Sequence, residues 1–371
     1  MNKINTIISL LLVALVLTSC TLAQQQPLRI GFVGALTGEA ATYGEDDRNG
    51  ALLAMEEINA HGGINGRPLD IIFEDGKCNG KDAATAIHKL IETDNVHVVL
   101  GASCSSEALA MAPIAETAHV ILITSAATNP AIKDAGDFTF RTVPSDALTG
   151  KKLADTFSRN FTRIALISEN TDFAQGLRTI FTKRATELGL EIVADETYDQ
   201  GATDYHTQLL KIQEANPQAL FIDPQADAAA ARILKQLHEL DFNPTVGLVY
   251  FGSSKSIQDL GPTYTNTLIS IDFPEFNSPQ ALDILSRYEQ RFGKKPNYPI
   301  WALASYDRVH IIANALRACG EDTECIKTWL YHMSAYPGVT GTIQFDSDGE
   351  ATRGISHVAY TYHAGKPIVI G

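Results

Sequence analysis

From residue 28 onward the chain alternates short apolar runs with amphipathic helical stretches, and this alternation constrains the fold more than any other feature. Leu28-Arg29-Ile30-Gly31-Phe32-Val33 reads as a strand. Ala51, Ala54, Met55 and Ile58 then recur at helical spacing and mark one apolar face, which His61-Gly62-Gly63 ends. Runs at 69–73, 96–100 and 120–124 read as strands, and 82–91 and 106–118 as helices. Strands joined through helices of this length pair in parallel, with helices over both faces of the sheet. A second series follows Arg141-Thr142-Val143-Pro144, with strands at 163–168, 191–193, 219–222 and 245–250 and helices at 173–188, 205–215 and 226–240. The expected fold is α/β: two Rossmann-like lobes with parallel-sheet cores. At roughly 150 residues per domain, a chain of 371 residues suits two.

The final third changes character. Helical patterns at 279–292, 299–319 and 323–333 precede short strands at 341–345, 355–362 and 367–370. These are too few for a third α/β domain and are expected to complete the first two lobes. The chain then crosses between lobes more than once. Val143-Pro144-Ser145-Asp146, Asp272-Phe273-Pro274-Glu275 and Asp346-Ser347-Asp348-Gly349 supply three junctions, a three-strand hinge that permits closure and restricts twisting. The expected partition is 28–143 plus 274–346 for lobe 1, and 144–273 plus 347–371 for lobe 2.

One long apolar run, 4–17, lies at the N-terminus behind Met1-Asn2-Lys3. It is short for a bilayer span and suits the hydrophobic part of a signal peptide. It ends in Leu17-Thr18-Ser19-Cys20, which is similar to a bacterial lipobox. Residues 1–19 would then be the signal peptide, Cys20 would carry lipid, and 20–27 would be a tether. Cleavage after Ala23 and an uncleaved anchor are the alternatives. The expectation is an exported chain held to a bacterial membrane by its lipid, facing the periplasm or the cell exterior. With Cys20 lipidated, Cys78, Cys104, Cys319 and Cys325 remain, an even number that fits an oxidising compartment. A formal charge of −14 argues against nucleic acid as a partner.

The motifs do not point to catalysis. Gly31-Phe32-Val33-Gly34-Ala35-Leu36-Thr37-Gly38 is not a dinucleotide fingerprint, and Gly101-Ala102-Ser103-Cys104-Ser105 lacks the last glycine of a nucleophile elbow. The histidines are scattered without zinc spacing, and no metal or cofactor is expected. Glu45-Asp46-Asp47 and Glu56-Glu57 are expected to face solvent. What remains are hydroxyl residues at strand ends. The strand at 98–100 leads into Cys104-Ser105-Ser106 at the start of a helix, and the strand at 121–124 leads into Ser125-Ala126-Ala127-Thr128. In a parallel sheet, ligands sit beyond such ends, where unpaired N–H groups and hydroxyls can hold a carboxylate. Helix capping alone would explain the same residues.

Taken together, these segments resemble the branched-chain amino-acid-binding proteins, the type I periplasmic binding proteins that feed ABC importers. The resemblance runs from residue 28 to about 363. It rests on the 30–38 segment with Tyr43-Gly44, on Ile58-Asn59-Ala60-His61-Gly62-Gly63-Ile64-Asn65-Gly66, on Glu74-Asp75 with Cys78, on Gly101 with Cys104-Ser105-Ser106, and on Ser125-Ala126-Ala127-Thr128. It implies that Ser105 and Thr128 bind a ligand carboxylate within a turn that includes Ala127. It also implies that the Ala126 carbonyl accepts from a ligand amine and that Tyr43 walls the pocket. Cys78 and Cys104 match a family disulfide; Cys319 and Cys325, six apart, would close a small ring.

Two positions depart from the family. Phe173 stands where a tyrosine is usual, and Val249-Tyr250-Phe251-Gly252 has no acid to meet an α-ammonium. Asp223 or Asp227 would have to substitute, or the ligand is a carboxylate without an α-amine, because a buried unpaired ammonium is costly. Tyr250, Phe251, Tyr298 and Trp301 either line an apolar pocket or are ordinary core aromatics. The expected function is a monomeric, non-enzymatic solute-binding protein that delivers a small carboxylate or amino acid to ABC permease subunits. A ligand-sensing module of the same fold is the alternative.

Overall fold

Strand β1 (Leu28–Gly34) is buried at every position but Arg29, the two-sided burial that parallel sheets require. In this computed structural model residues 26–352, 356–363 and 366–370 are described. The signal peptide, Cys20, the Ala23 cleavage alternative and the expected strand start at 355 lie outside them. Helix α1 (Ala41–Ala60) follows β1, then β2 (Leu69–Asp75), α2 (Gly80–Glu92), β3 (Val98–Leu100), α3 (Ser105–Ala118), β4 (Ile121–Thr124) and β5 (Thr139–Arg141). These strands form one five-stranded parallel sheet, ordered β2-β1-β3-β4-β5.

The chain then enters α4 (Asp146–Phe157), β6 (Arg163–Glu169), α5 (Asp172–Glu187), β7 (Glu191–Tyr198), α6 (His206–Glu214), β8 (Ala219–Asp223), α7 (Asp227–Glu239) and β9 (Thr245–Val249). Two short helices, α8 (Lys255–Gln258) and α9 (Pro262–Thr265), precede β10 (Leu268–Asp272). After α10 (Pro279–Phe292), α11 (Pro299–Cys319) and α12 (Thr323–His332) come β11 (Tyr336–Gly338), β12 (Gly341–Ile343), β13 (Val358–His363) and β14 (Lys366–Val369). The second sheet is ordered β14-β13-β10-β9-β8-β6-β7, with β13 and β14 antiparallel at one edge. β11 and β12 form a separate hairpin.

The late helices return to the first sheet. α11 lies along α1, and both bury apolar side chains against β1 and β3 in one cluster containing Phe32, Leu53, Leu303 and Ile312. Gly50 makes this approach possible: a Cβ there would sit 2.1 Å from the Ala302 carbonyl oxygen. Leu153, Phe157, Phe181 and Phe221 pack on one face of the second sheet, and Tyr205, Leu234 and Ile257 on the other. Helix α4, the short helices α8 and α9, and strands β5, β10 and β11 go beyond the elements that the sequence pattern predicts. α4 buries Asp146, Thr149 and Gly150 as well as Leu153 and Phe157, so its apolar stripe is broken by polar residues. The strand expected at 191–193 continues to Tyr198. Among the described residues no helix is long and apolar enough to cross a membrane.

Candidate functional site

The carboxyl ends of β3 and β4 carry the loops on which the site is built. Cys104 is the N-cap of α3, so Ser105 occupies the first helical position, where backbone N–H groups have no helical partner. Glu107 draws this loop together. Its carboxylate accepts the backbone N–H groups of Cys104 at 2.9 Å, Ser103 at 3.1 Å and Cys78 at 2.9 Å. Burial nonetheless pushes its pKa up to about 7. The disulfide Cys78–Cys104 ties the loop after β2 to the same N-cap, and Cys319–Cys325 closes a ring after α11. Ser105 is 1% exposed, and its Oγ accepts the Asn129 N–H at 3.2 Å. Its own hydrogen is thereby left for an acceptor.

On the β4 loop, Thr124 Oγ1 donates to the Ala102 carbonyl at 2.8 Å and accepts the Ala127 N–H at 3.0 Å. A buried ion pair underlies both loops. Arg308 Nη2 donates to Asp47 Oδ1 at 2.8 Å, and neither side chain is exposed. Asp47 also accepts Ser125 Oγ at 2.8 Å and Ser103 Oγ at 3.1 Å, one from each loop. This corrects the expectation of a solvated Glu45-Asp46-Asp47 face. Asp46 is buried too, accepting Tyr288 Oη and the Tyr298 N–H at 2.7 Å each, while burial pushes its pKa up to about 7. Glu45 reaches the surface, paired with Lys294 at 2.6 Å. Glu56 and Glu57 pair with Arg291 and Arg287 on α10.

The second sheet faces these loops with Phe173 in the first turn of α5, Gln225 beyond β8, and Tyr250 and Phe251 beyond β9. Tyr250 has φ of 66°, a left-handed conformation that costs a bulky residue energy. Its hydroxyl is held by Asp146 Oδ1 at 2.8 Å, Thr149 Oγ1 at 3.0 Å and His357 Nε2 at 3.2 Å, and its ring stacks on Phe273 at 5.1 Å. Burial lowers the basicity of His357 to about 4.

Between the two sides lies a cavity with about 350 Å³ not filled by protein atoms, lined by Tyr43, Ser103, Cys104, Ser105, Ala126 and Thr128 from the first side. Phe173, Gln225, Tyr250 and Phe251 line it from the second side, with Trp301 at the start of α11. The sequence-derived candidates Tyr43, Ser105, Ala126, Thr128, Phe173 and Phe251 thus meet at one cavity. Ala127 does not; its methyl group is buried in the core behind β4. Tyr298 packs edge-on against Phe251. Gln225 was missed, because it follows a strand tip with no motif around it. It is the main polar contact across the cleft: the Tyr43 hydroxyl donates to its carbonyl at 3.1 Å and accepts from its Nε2 at 2.9 Å. Asn129 Nδ2 also donates across to the Asp172 carbonyl at 2.5 Å, and Arg232 Nη2 to Glu39 Oε1 at 3.0 Å.

Neither acid suggested as an ammonium partner lines the cavity. Asp223 is 1% exposed, and burial with repulsion from Asp146 and Glu169 pushes its carboxyl well above the usual range, toward the neutral form. Asp227 opens α7 and accepts Ser256 Oγ. The arrangement is a polar cradle facing aromatic walls, suited to holding a small polar molecule with an apolar part.

Comparison with known proteins agrees with this geometry. The sequence model of the family described as periplasmic binding protein matches residues 27–364. The leucine-, isoleucine-, valine-, threonine- and alanine-binding protein of Pseudomonas aeruginosa is 26% identical over 343 residues, covering 91% of this chain and 90% of that one. A Leu/Ile/Val-binding protein homolog of Brucella abortus is 25% identical over 332 residues, 87% of each chain. Among solved structures, the branched-chain amino acid transporter substrate-binding protein LivJ of Streptococcus pneumoniae, in complex with isoleucine, superposes with a TM-score of 0.81 at 28% identity, covering 93% of this chain and 99% of that one. The chain belongs to the periplasmic binding protein family, in its type I form, whose members here are substrate-binding proteins and not enzymes.

Proposed function

We propose that this protein is the extracytoplasmic solute-binding component of an ABC importer and that its ligand is a small amino acid of the branched-chain kind. The observation that carries this reading is the meeting of Ser105, Ala126 and Thr128 with Tyr43, Phe173 and Phe251 around one cavity. In this reading Ser105 and the free N–H groups of α3 take the ligand carboxylate. The Ala126 carbonyl accepts from the amine, and Phe173, Phe251 and Trp301 cover the apolar side chain. Phe173 keeps the aromatic wall that a tyrosine gives relatives and loses its hydroxyl.

Residues 28–143 with 274–346 act as one lobe and 144–273 with 347–371 as the other. Contacts made to the ligand by both lobes stabilise the closed state, so binding shifts the open–closed population, and the closed monomer docks on the permease. Cys20 carries the lipid that keeps the protein at the membrane after export. The relatives' names support the ligand class, since the Pseudomonas aeruginosa protein is named for leucine, isoleucine, valine, threonine and alanine.

Calorimetry of residues 20–371 with leucine, isoleucine and valine tests this. Binding by the native chain, lost in Ser105→Ala/Thr128→Ala with an unchanged melting temperature, is the expected result. Unchanged affinity in the double variant would remove Ser105 and Thr128 from the site.

A further inference from the structure

A second, larger cavity adjoins the first. Tyr250 and Trp301 line both, so the two are neighbours across one aromatic wall. The second is a groove along the segment between β10 and α10, with about 1160 Å³ not filled by protein atoms, part of it open to solvent. Phe273, Glu275 and Phe276 line it from that segment, and Leu282 and Leu285 from α10. Asp272, Tyr360 and Tyr362 line it from the second sheet. Leu282 is 51% exposed, so apolar lining here meets water.

The electrostatics of this groove are opposite to those of the cradle at Ser105. Its lining has two carboxylates, Asp272 and Glu275, and no Lys, Arg or His. Its rings present negative faces, which attract cations and repel anions. Asp272 is 5% exposed, and both of its hydrogen bonds fall on one oxygen: Oδ2 accepts Ser270 Oγ at 2.6 Å and Tyr362 Oη at 3.4 Å. Among the described residues Oδ1 has no donor, and the carboxylate has no cationic partner. Burial raises its pKa to about 6, so above neutral pH the group is charged. A buried carboxylate with a spare oxygen gains most from an N–H donor that is itself charged.

We propose that this groove is a second ligand-binding site, separate from the solute cleft, for a small organic amine in its ammonium form: the ammonium donates to Asp272 Oδ1, and the apolar body lies among Phe273, Phe276 and Tyr360. A bare metal cation would leave the apolar lining unused. An amino acid would bring its own carboxylate against Asp272 and Glu275. The site does not depend on which solute the cleft takes.

The test is calorimetry of residues 20–371 with 2-phenylethylamine and with 2-phenylethanol, the same apolar body with and without the charge. The native chain is expected to bind the amine at least about tenfold more tightly than the alcohol, the value of a hydrogen bond to a charged group. Asp272→Asn should bring the two within about threefold of each other. Ser105→Ala/Thr128→Ala should keep the native preference, because the groove does not use those hydroxyls. Asp272→Asn also disturbs the Ser270 and Tyr362 hydroxyls, so Leu282→Lys is the second variant: its half-exposed side chain is replaced without opening the core. A fixed cation beside the two carboxylates should weaken the amine by about threefold more than the alcohol. A native chain that does not bind the amine, or binds amine and alcohol alike, overturns the proposal. Amine binding that survives Asp272→Asn and Leu282→Lys but is lost in Ser105→Ala/Thr128→Ala puts the probe in the solute cleft and overturns it too.

Discussion

Replacing Tyr43 by phenylalanine isolates the energy of lobe closure. The hydroxyl makes two hydrogen bonds to Gln225 across the cleft, donating at 3.1 Å and accepting at 2.9 Å. The ring stays packed edge-on to Tyr298 at 6.3 Å, so Tyr43→Phe removes polarity and leaves shape. With the lobes apart, the Gln225 carbonyl and amide meet water. With the lobes together, Gln225 is 6% exposed and those groups lose their partner. The loss therefore falls on the closed form. Two bonds at about 0.5–1.5 kcal/mol each give about 1–3 kcal/mol, and tenfold per 1.4 kcal/mol makes the expected loss of affinity about 5–150-fold. Calorimetry measures the affinity, and small-angle scattering with saturating leucine measures whether the radius still contracts. The thermal midpoint without ligand should barely move, because the first sheet's core does not involve this hydroxyl. Affinity within about twofold of native, with full contraction, would refute the assignment of the Tyr43–Gln225 contact to closure.

Gly176→Ala should lower affinity and hold the lobes apart in scattering while leaving thermal stability equal or better, because a Cβ there would lie 2.4 Å from Asn129 Nδ2 of the facing lobe, whereas alanine favours the helix. Arg308→Met should cost about 3–5 kcal/mol in urea unfolding, since it strands the fully buried Asp47 carboxylate; an unchanged midpoint would refute a stabilising role for the pair. Stability should fall as pH rises from about 5 to 8. Asp46 and Glu107, raised to about 7, and Asp146, Asp272 and Asp307, raised to about 6, hold protons in the folded state that the unfolded chain has released, and that stabilisation is lost as pH climbs through these values. His357, lowered to about 4, acts in the opposite sense between about 4 and 6.5 but is outnumbered. A melting temperature equal or higher at the alkaline end would contradict the burial of these carboxyls.

Sequence periodicity revealed the two α/β series because sheet strands buried on both faces leave uninterrupted apolar runs. It also placed Ser105 and Thr128 at strand tips, and the folded chain has both lining one cavity. Other features depend on partners far along the chain. Asp46 and Asp47 read as a solvated patch because their buried partners, the Tyr288 hydroxyl and the Arg308 guanidinium, lie 242 and 261 residues away. Helix α4 is not legible in the sequence because Asp146 and Thr149, which bond the distant Tyr250 hydroxyl, interrupt its apolar stripe. Gln225 sits in a loop without local pattern, and only the folded chain brings it to Tyr43.

The Asp47–Arg308 pair pins both ligand loops to one scaffold whether or not the other half is near. A solute can then land on a surface that is already assembled, with little reorganisation before contact. In the proposed reading, arrival rate belongs to the first half and residence time to the second, through Gln225, Phe173 and Phe251. Evolution can lengthen or shorten retention by altering the far wall while the rate of capture stays where the rigid half sets it.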